Sequence, residues 1–177
     1  VIDTNTMELR DHQKNITQLM TTETKGKILV PTGGGKTMCM IHDAKWRFSI
    51  PVPQTIVVVA PRILLANQLC SEFLEHIDNV SVCHVHSGDT HHFRTTRPKQ
   101  IQEWYHNTVK NILIFTTYHS LHRIQEAIDV EVDTIYFDEA HNSVQKNFLP
   151  AVDYFSQYAS RKYFFTATPK ENRNALL

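Results

Sequence analysis

Short apolar runs alternate with longer segments of helical periodicity along the whole chain. Three of the runs, 56–59, 112–115 and 135–137, are almost entirely branched or aromatic, which is typical of strands covered on both faces. Alternating strands and helices predict a parallel α/β sheet with right-handed crossovers. The candidate strands are 27–30, 55–60, 80–85, 111–116, 134–138 and 162–166.

The clearest helical pattern follows Pro61, a residue that is accepted at the start of a helix. Apolar residues recur there at steps of three and four, which predicts a helix with one buried face. This face consists of Leu65, Ala66, Leu69, Cys70, Phe73 and Leu74. Ligands of parallel α/β sheets bind at the carboxyl ends of the strands, so the residues that follow strands are the candidates for chemistry.

Composition narrows the function classes. The 177 residues suit a single domain, and no apolar run reaches the roughly 20 residues that a membrane helix needs. Eighteen basic residues balance eighteen acidic ones, so any contact with nucleic acid depends on local loops rather than bulk charge. Cys39, Cys70 and Cys83 form no CxxC pair, which favours three buried thiols in a reducing cytoplasm.

Three of the five glycines, Gly33 to Gly35, lie between a strand pattern and a helical pattern. Without a Cβ, backbone N–H groups can surround a phosphate, and the positive end of the next helix faces the same group. Lys36 is expected to reach the terminal phosphates, and the Thr37 hydroxyl is expected to bind Mg²⁺. The usual pattern has a glycine where this chain has Val30. The predicted nucleotide contacts here are Thr32, Gly33, Gly34, Gly35, Lys36, Thr37 and Met38.

The strand pattern 134–137 ends in two carboxylates, followed by an alanine and a histidine. Asp138 is expected to bind Mg²⁺ through water, and Glu139 is the candidate general base for an attacking water molecule. Acidic pairs at strand ends are common, but here the pair accompanies a glycine–lysine loop. The two motifs together predict that residues 31–37 and 138–141 hold ATP·Mg²⁺ between them.

These motifs, in this order, resemble the first RecA-like domain of superfamily 2 helicases and translocases of the DEAD/DEAH-box type. Residues 31–37 resemble motif I and 138–141 motif II, while 60–68, 116–121 and 166–169 resemble motifs Ia, Ib and III. The resemblance implies a three-layer αβα P-loop NTPase domain over 1–177. Within the family, the pattern is most similar to phage recombination helicases and the motor subunits of restriction enzymes.

The resemblance also implies roles for residues outside the two central motifs. Residues 9–13 match the segment that reads adenine, which makes Arg10 and Gln13 nucleotide contacts. Arg62 as a solvated side chain and Thr117 as a helix cap remain alternatives. The implied contacts to a nucleic-acid strand are Pro61, Arg62, Ser87, Gly88, Thr116 and Thr117, and the residues implied to couple hydrolysis to movement are His141, Thr166 and Thr168.

The implied function is ATP- and Mg²⁺-dependent movement on nucleic acid, with DNA favoured over RNA. A second RecA-like domain, expected beyond this chain, would supply the arginine finger, so the fragment alone is expected to be monomeric and slow. A duplex translocase subunit of a restriction enzyme is one alternative. A nucleotide-binding module without motor activity is another, although a pure binder has no need of Glu139. A P-loop kinase does not fit motifs Ia, Ib and III.

Four of the eleven histidines, His84, His86, His91 and His92, lie close together in sequence. Imidazoles are good metal ligands, so a zinc site is conceivable. However, no cysteine or carboxylate stands at a convincing ligand spacing from them. The spacing therefore favours an interpretation without a metal.

Overall fold

The computed structural model describes residues 9–31, 35–127 and 129–168. Within them, no helix is both long enough and apolar enough to cross a membrane. The strands are β1 (Lys25–Pro31), β2 (Thr55–Ala60), β3 (Ser81–Val85), β4 (Phe93–Arg94), β5 (Ile112–Thr117), β6 (Thr134–Phe137) and β7 (Arg161–Thr168). The helices are α1 (Asp11–Thr22), α2 (Lys36–Phe48), α3 (Ile63–His76), α4 (Pro98–His106), α5 (Leu121–Glu126), α6 (Leu149–Tyr158) and a 3₁₀ helix (Ala140–Val144).

The seven strands form one sheet in the order β1-β7-β6-β2-β5-β3-β4, and every neighbouring pair is parallel. All six predicted strands form, with boundaries shifted by a few residues. The seventh, β4, has two exposed residues at the edge of the sheet. Too short to carry an alternating pattern, it gave no signal in the sequence.

Side chains from the two faces of the sheet pack into two separate cores. Along β2, Ile56 and Val58 point into the core formed with α1, α2 and α3, while Val57 and Val59 point into the core formed with α4, α5 and α6. Every residue of β2, β5 and β6 is buried. The predicted three-layer αβα architecture is therefore confirmed, with β2, β5 and β6 covered on both faces.

Helix α3 has the buried face predicted from its periodicity. Ala66, Leu69, Cys70 and Phe73 are buried against the sheet. The helix begins at Ile63, so the proline lies outside the first turn and residue 62 is the N-cap. This places an exposed arginine at the carboxyl end of β2.

A buried polar network joins α2 to the middle of the sheet. Nε and Nη2 of Arg47 donate to the two carboxylate oxygens of Asp43 at 2.7 and 3.0 Å. Tyr136 on β6 donates to the same carboxylate at 2.5 Å, and Tyr163 on β7 lies 3.3 Å from Nη2 of Arg47. The carbonyl of Met20, near the end of α1, accepts from both Arg47 and Tyr163. Four elements are thus held at one point by charge-assisted hydrogen bonds.

Candidate functional site

Lys36 and the two acids meet at the carboxyl ends of the strands. The Nζ of Lys36 lies 3.0 Å from Oδ1 of Asp138 and also forms an ion pair with Oε1 of Glu139. Lys36 opens α2, whereas Asp138 directly follows β6, and β7 runs between β1 and β6. Crossovers of the parallel sheet bring these distant parts of the sequence to one cluster, as the motifs predict.

The local electrostatics favour a cation beside these acids. Asp138 is buried, and this burial raises the pKa of its carboxyl group, while the Lys36 ammonium acts in the opposite direction. The Glu139 side chain is partly exposed, so one acid is enclosed and the other can reach solvent. The cluster offers several hard oxygen ligands around a single flexible ammonium group.

The backbone of Glu139 adopts an unusual conformation. Its φ of 50° and ψ of 58° lie in the left-handed region, which non-glycine residues seldom occupy. The turn ends β6 and begins the 3₁₀ helix, and the Nδ2 of Asn142 donates to the Glu139 carbonyl at 3.0 Å. His141, predicted to act in coupling, is exposed, with its Nδ1 3.8 Å from Oε2 of Glu139. Such strain, kept by the surrounding structure, is characteristic of functional positions.

Tyr118 was not singled out from the sequence, although it lies in the segment after β5. Its hydroxyl donates to the carbonyl of Asp138 at 2.8 Å, and the whole side chain is buried. The bond ties the end of β5 to the end of β6. Because tyrosine is common in protein cores, its residue type does not indicate a role in the site. Its position directly after a buried strand is the one sequence signal that could have done so.

The predicted adenine-reading residues lie against Gly35, the last of the three consecutive glycines. Gln13 is buried, and its Nε2 donates to the carbonyl of Gly35 at 3.0 Å. Its Oε1 accepts from the backbone N–H of Arg10 at 2.8 Å. Gly35 has a φ of 76°, and a Cβ added there would lie 2.3 Å from the Gln13 amide nitrogen. Glycine is therefore required at 35 by backbone conformation and by space.

Replacing Gly35 with alanine is expected to lower the free energy of unfolding by about 1–3 kcal/mol, the range for an enforced strained backbone. The new methyl group must also displace Gln13. Chemical denaturation measures the loss. Gly26→Ala is the matched control, since the nearest atom to its added Cβ is 3.9 Å away, on Tyr163. Equal stability of the two variants would contradict the requirement for glycine at 35.

The other predicted nucleotide and coupling residues are placed as follows. Thr37 and Met38 are half-buried in the first turn of α2, next to Lys36. Thr166 is half-buried on β7, in register with Leu29 of the strand before the phosphate loop. Thr168 is the last residue of β7. Thr32, Gly33 and Gly34 lie outside the described residues.

Four of the predicted nucleic-acid contacts lie in two segments that meet at the start of α3. Arg62 and Ser87 are exposed, and Pro61 is half-buried. A Cβ on Gly88 would lie 2.3 Å from Cγ2 of Ile63, so the loop after β3 packs directly on the first turn of α3. The absence of a side chain at 88 thus serves this internal packing, a reason that sequence spacing could not supply.

Thr116 and Thr117 are buried, whereas the motif implies that they contact a nucleic-acid strand at the surface. Thr116 is fully buried, and its hydroxyl donates to the carbonyl of Val85 at 2.8 Å. Thr117 is also buried, with its hydroxyl oxygen 3.3 Å from the backbone nitrogen of Ser120. The structure therefore removes Thr116 from the surface contacts, because its only polar group is used within the sheet. The Thr117 hydroxyl thus accepts a hydrogen bond in the turn before α5, whose N-cap is Ser120, so Thr117 is not the helix cap that was its alternative interpretation.

Residues 6–171 match the family model described as type III restriction enzyme, res subunit. Comparison with curated proteins gives no significant match. Among solved structures, a nuclease-deletion mutant of the type ISP restriction-modification enzyme LlaGI, in complex with a DNA substrate mimic, superposes with a TM-score of 0.77 and 22% identity. The similarity covers 90% of this chain and 15% of LlaGI.

Two helicases have the same fold. The Hef helicase domain of Pyrococcus furiosus superposes with a TM-score of 0.65 and 20% identity, over 90% of this chain and 32% of that one. The UvsW helicase of bacteriophage T4 has the same TM-score at 13% identity, over 92% of this chain and 53% of that one. This chain thus spans a minor part of the restriction enzymes and about half of UvsW.

Proposed function

This chain belongs to the family of the type III restriction enzyme res subunit and is the first RecA-like domain of a superfamily 2 helicase or translocase; from this we propose that it hydrolyses ATP to drive movement along nucleic acid. The observation that carries the proposal is the cluster of Lys36, Asp138 and Glu139 at the carboxyl edge of the sheet. ATP hydrolysis in P-loop enzymes uses a lysine at the terminal phosphates, an acid that holds Mg²⁺ and a residue that orients the attacking water, and these three side chains can supply those roles.

In this proposal, Lys36 exchanges partners when ATP binds. Its ammonium leaves the two carboxylates and pairs with the terminal phosphates. The flexible four-carbon side chain of lysine allows this change of rotamer. Asp138 and Glu139 are then released from their shared ion pair. Glu139 becomes free to orient a water molecule and accept its proton, in line with its position at the partly exposed side of the cluster.

The same residues fit a magnesium ion. Carboxylate and hydroxyl oxygens are the ligands that Mg²⁺ prefers, and Asp138 and Thr37 supply them next to Lys36. When bound, Mg²⁺ neutralises charge that develops on the phosphate oxygens. The buried Asp138, whose charge Lys36 balances in this structure, needs another cation once Lys36 turns to the phosphates.

A nucleic-acid path across the start of α3 is also part of the proposal. Arg62 is exposed there, beside the Ser87–Gly88 loop, and could contact strand phosphates together with backbone N–H groups. The structure of LlaGI contains a DNA substrate mimic, and that of a second type ISP restriction-modification enzyme, LlaBIII, contains DNA, which favours DNA over RNA for this chain. A second RecA-like domain would close the other side of the path.

A second candidate is translocation along duplex DNA without strand separation. The match of residues 6–171 to a family model described as a restriction enzyme subunit supports this candidate. The two modes differ in the polymer that stimulates ATP hydrolysis. On the full-length protein, stimulation by single-stranded DNA alone indicates a helicase, whereas stimulation by duplex DNA without unwinding indicates a duplex translocase. A module that only binds nucleotide shows stimulation by neither.

Glu139→Gln in the full-length protein is expected to lower DNA-stimulated ATP turnover by about 100-fold or more, the range for loss of a general base. ATP binding should persist, because the phosphate-binding lysine remains. Steady-state ATPase assays and nucleotide titration measure the two effects. Glu103→Gln, at an exposed position on α4, is the matched control and should turn over ATP normally. Wild-type turnover by Glu139→Gln would refute its role as the base.

A further inference from the structure

A cysteine and two histidines from three different elements meet beside the Ser87–Gly88 loop, which contains two of the predicted nucleic-acid contacts. Cys70 lies on α3, His84 on β3, and His92 between β3 and β4. One ligand atom from each lies within 4.8 Å of the other two, the one such group of three found in the described residues. They line a cavity together with Asn67, Ser71, Asp89, Thr90 and His91. Sequence spacing argued against a zinc site here because the cysteine comes from a separate helix.

His84 is the clearest sign that this cluster is built for a ligand. Its side chain is fully buried, yet its Nε2 has no hydrogen-bond partner among the described residues. An unpaired buried polar atom costs about 1–3 kcal/mol, so it calls for an explanation. Burial, followed by the nearby His86 and His92, lowers the pKa of His84 to about 3, which keeps its ring neutral. A neutral imidazole is the form that binds metals.

We propose that Sγ of Cys70, Nε2 of His84 and a ring nitrogen of His92 bind one zinc ion. One thiolate and two imidazoles are a preferred zinc donor set, and a fourth position would remain for water. The ion would supply the partner that Nε2 of His84 lacks. None of the three residues belongs to the ATP site, so this inference does not depend on the proposed ATPase activity.

The cluster needs only small adjustments to reach zinc geometry. Tetrahedral ligands at zinc distances lie about 3.3–3.8 Å apart, so atoms now within 4.8 Å of one another must approach by at most about 1.5 Å. The rings of His84 and His92 are nearly parallel, at 10°, and one of them must turn to face a shared ion. His92 is the exposed member of the pair, so its ring is the one expected to turn away from its stacked position on His84. The Cys70 thiol gives its proton to solvent as the sulfur–zinc bond forms.

A hydrogen-bond chain leads from the cluster to the loop. Nδ1 of His84 lies 3.0 Å from Nε2 of His86, and Nδ1 of His86 accepts from the backbone N–H of Gly88 at 3.1 Å. If Nε2 of His84 binds zinc, its Nδ1 carries the proton and donates to His86, as metal-bound histidines commonly do. The proton of His86 then moves to Nδ1, and the N–H of Gly88 is released. Zinc binding would thus change the Ser87–Gly88 loop.

The ion would also fasten the 87–92 segment to α3. One such link exists already, since Nδ2 of Asn67 on α3 donates to the carbonyl of Asp89 at 3.0 Å. A bond from His92 to an ion held by Cys70 adds a second link between the same two elements. The proposed role of zinc is therefore to set the geometry of this loop relative to the start of α3.

The test is zinc binding by the full-length protein and its variants. After dialysis against a zinc buffer, elemental analysis should give one more zinc ion per chain for wild type than for His92→Ala or Cys70→Ser. Affinity of the variants should fall by more than the roughly 10–100-fold that loss of an outer-shell partner costs. Cobalt in place of zinc should show a thiolate charge-transfer band that Cys70→Ser lacks.

His106→Ala is the matched control, because this histidine is exposed on α4 and outside the cluster. It should keep the wild-type zinc content, affinity and cobalt spectrum. His92→Ala changes an exposed side chain and should fold normally, which thermal unfolding without zinc verifies. Equal zinc content in wild type and His92→Ala would overturn the proposal. So would equal losses in His92→Ala and His106→Ala, which indicate binding to surface histidines only.

Discussion

Lys36→Ala is expected to reduce ATP turnover by the full-length protein by about three orders of magnitude or more, which corresponds to roughly 4 kcal/mol of transition-state stabilisation. The ammonium group is the only cation seen between Asp138 and Glu139 in the described structure, where it balances both carboxylates. Without it, the phosphates lose a positive partner. The pKa of buried Asp138 also rises further, which weakens its charged, metal-binding form.

Steady-state ATPase assays at saturating DNA measure this effect. Lys110→Ala is the matched control, because this lysine is exposed and precedes β5. It therefore lies at the amino ends of the strands, away from the ATP site at their carboxyl ends. The control should retain wild-type turnover. Full turnover by Lys36→Ala would remove the basis of the proposed mechanism, whatever the fold of the domain.

Arg47→Met is expected to lower the free energy of unfolding by about 3–5 kcal/mol, the cost of leaving one partner of a buried ion pair uncompensated. This is a large share of the roughly 5–15 kcal/mol that holds a typical domain together. Burial already raises the pKa of Asp43, with the hydrogen bond and charge of Arg47 opposing it. Denaturation in urea measures the loss, and Arg123→Met, at an exposed helical position, should change stability by less than about 0.5 kcal/mol.

The double variant Asp43→Leu, Arg47→Met separates the value of the pair from the cost of breaking it. Replacing both charges with apolar groups is often close to neutral, so the double variant should be more stable than Arg47→Met alone. A loss of under 1 kcal/mol for the single variant, or a double variant that is the less stable of the two, would contradict this account.

The network has a second expected effect, on activity. Asp43 lies two helical turns after Lys36, and Tyr136 on β6 lies two residues before Asp138, which directly follows that strand. The hydrogen bond between Asp43 and Tyr136 therefore joins the helix that carries the lysine to the strand that carries the acid. Weakening it should lower ATP turnover even at temperatures where the variant stays folded.

Much of the fold follows from local patterns. The runs that became β2, β5 and β6 are apolar throughout because both faces are covered, and this pattern is visible without knowledge of neighbours. The meeting of Lys36 with Asp138 also follows, since parallel strands bring their carboxyl ends to one edge. These predictions required only the hydrophobic periodicity, the two motifs and the rule that parallel strands place their carboxyl ends at one edge of the sheet.

What the sequence did not reveal depends on partners from distant elements. Asp43 and Arg47 look like an ordinary surface pair on a helix until Tyr136 and Tyr163 are seen to enclose them. Cys70 appears to be one more apolar position on α3 until β3 places His84 beside it. Thr116 fits a surface motif by position, yet its hydroxyl is used inside the sheet. In each case the role of the side chain depends on neighbours from elements that are distant in the sequence, which local patterns do not reveal.

Strand β1 pairs with β7 alone in the described sheet, although the two lie near opposite ends of the chain. During synthesis, the strand that leads into the phosphate loop has no neighbour until the residues of β7 have left the ribosome. Ribosomes add roughly 5–20 residues per second, so β1 (ending at Pro31) remains unpaired for roughly 7–27 seconds before β7 (ending at Thr168) is complete. A chain that stops before β7 would leave that edge uncovered and prone to aggregation, and nucleotide binding should arise only with the last strand.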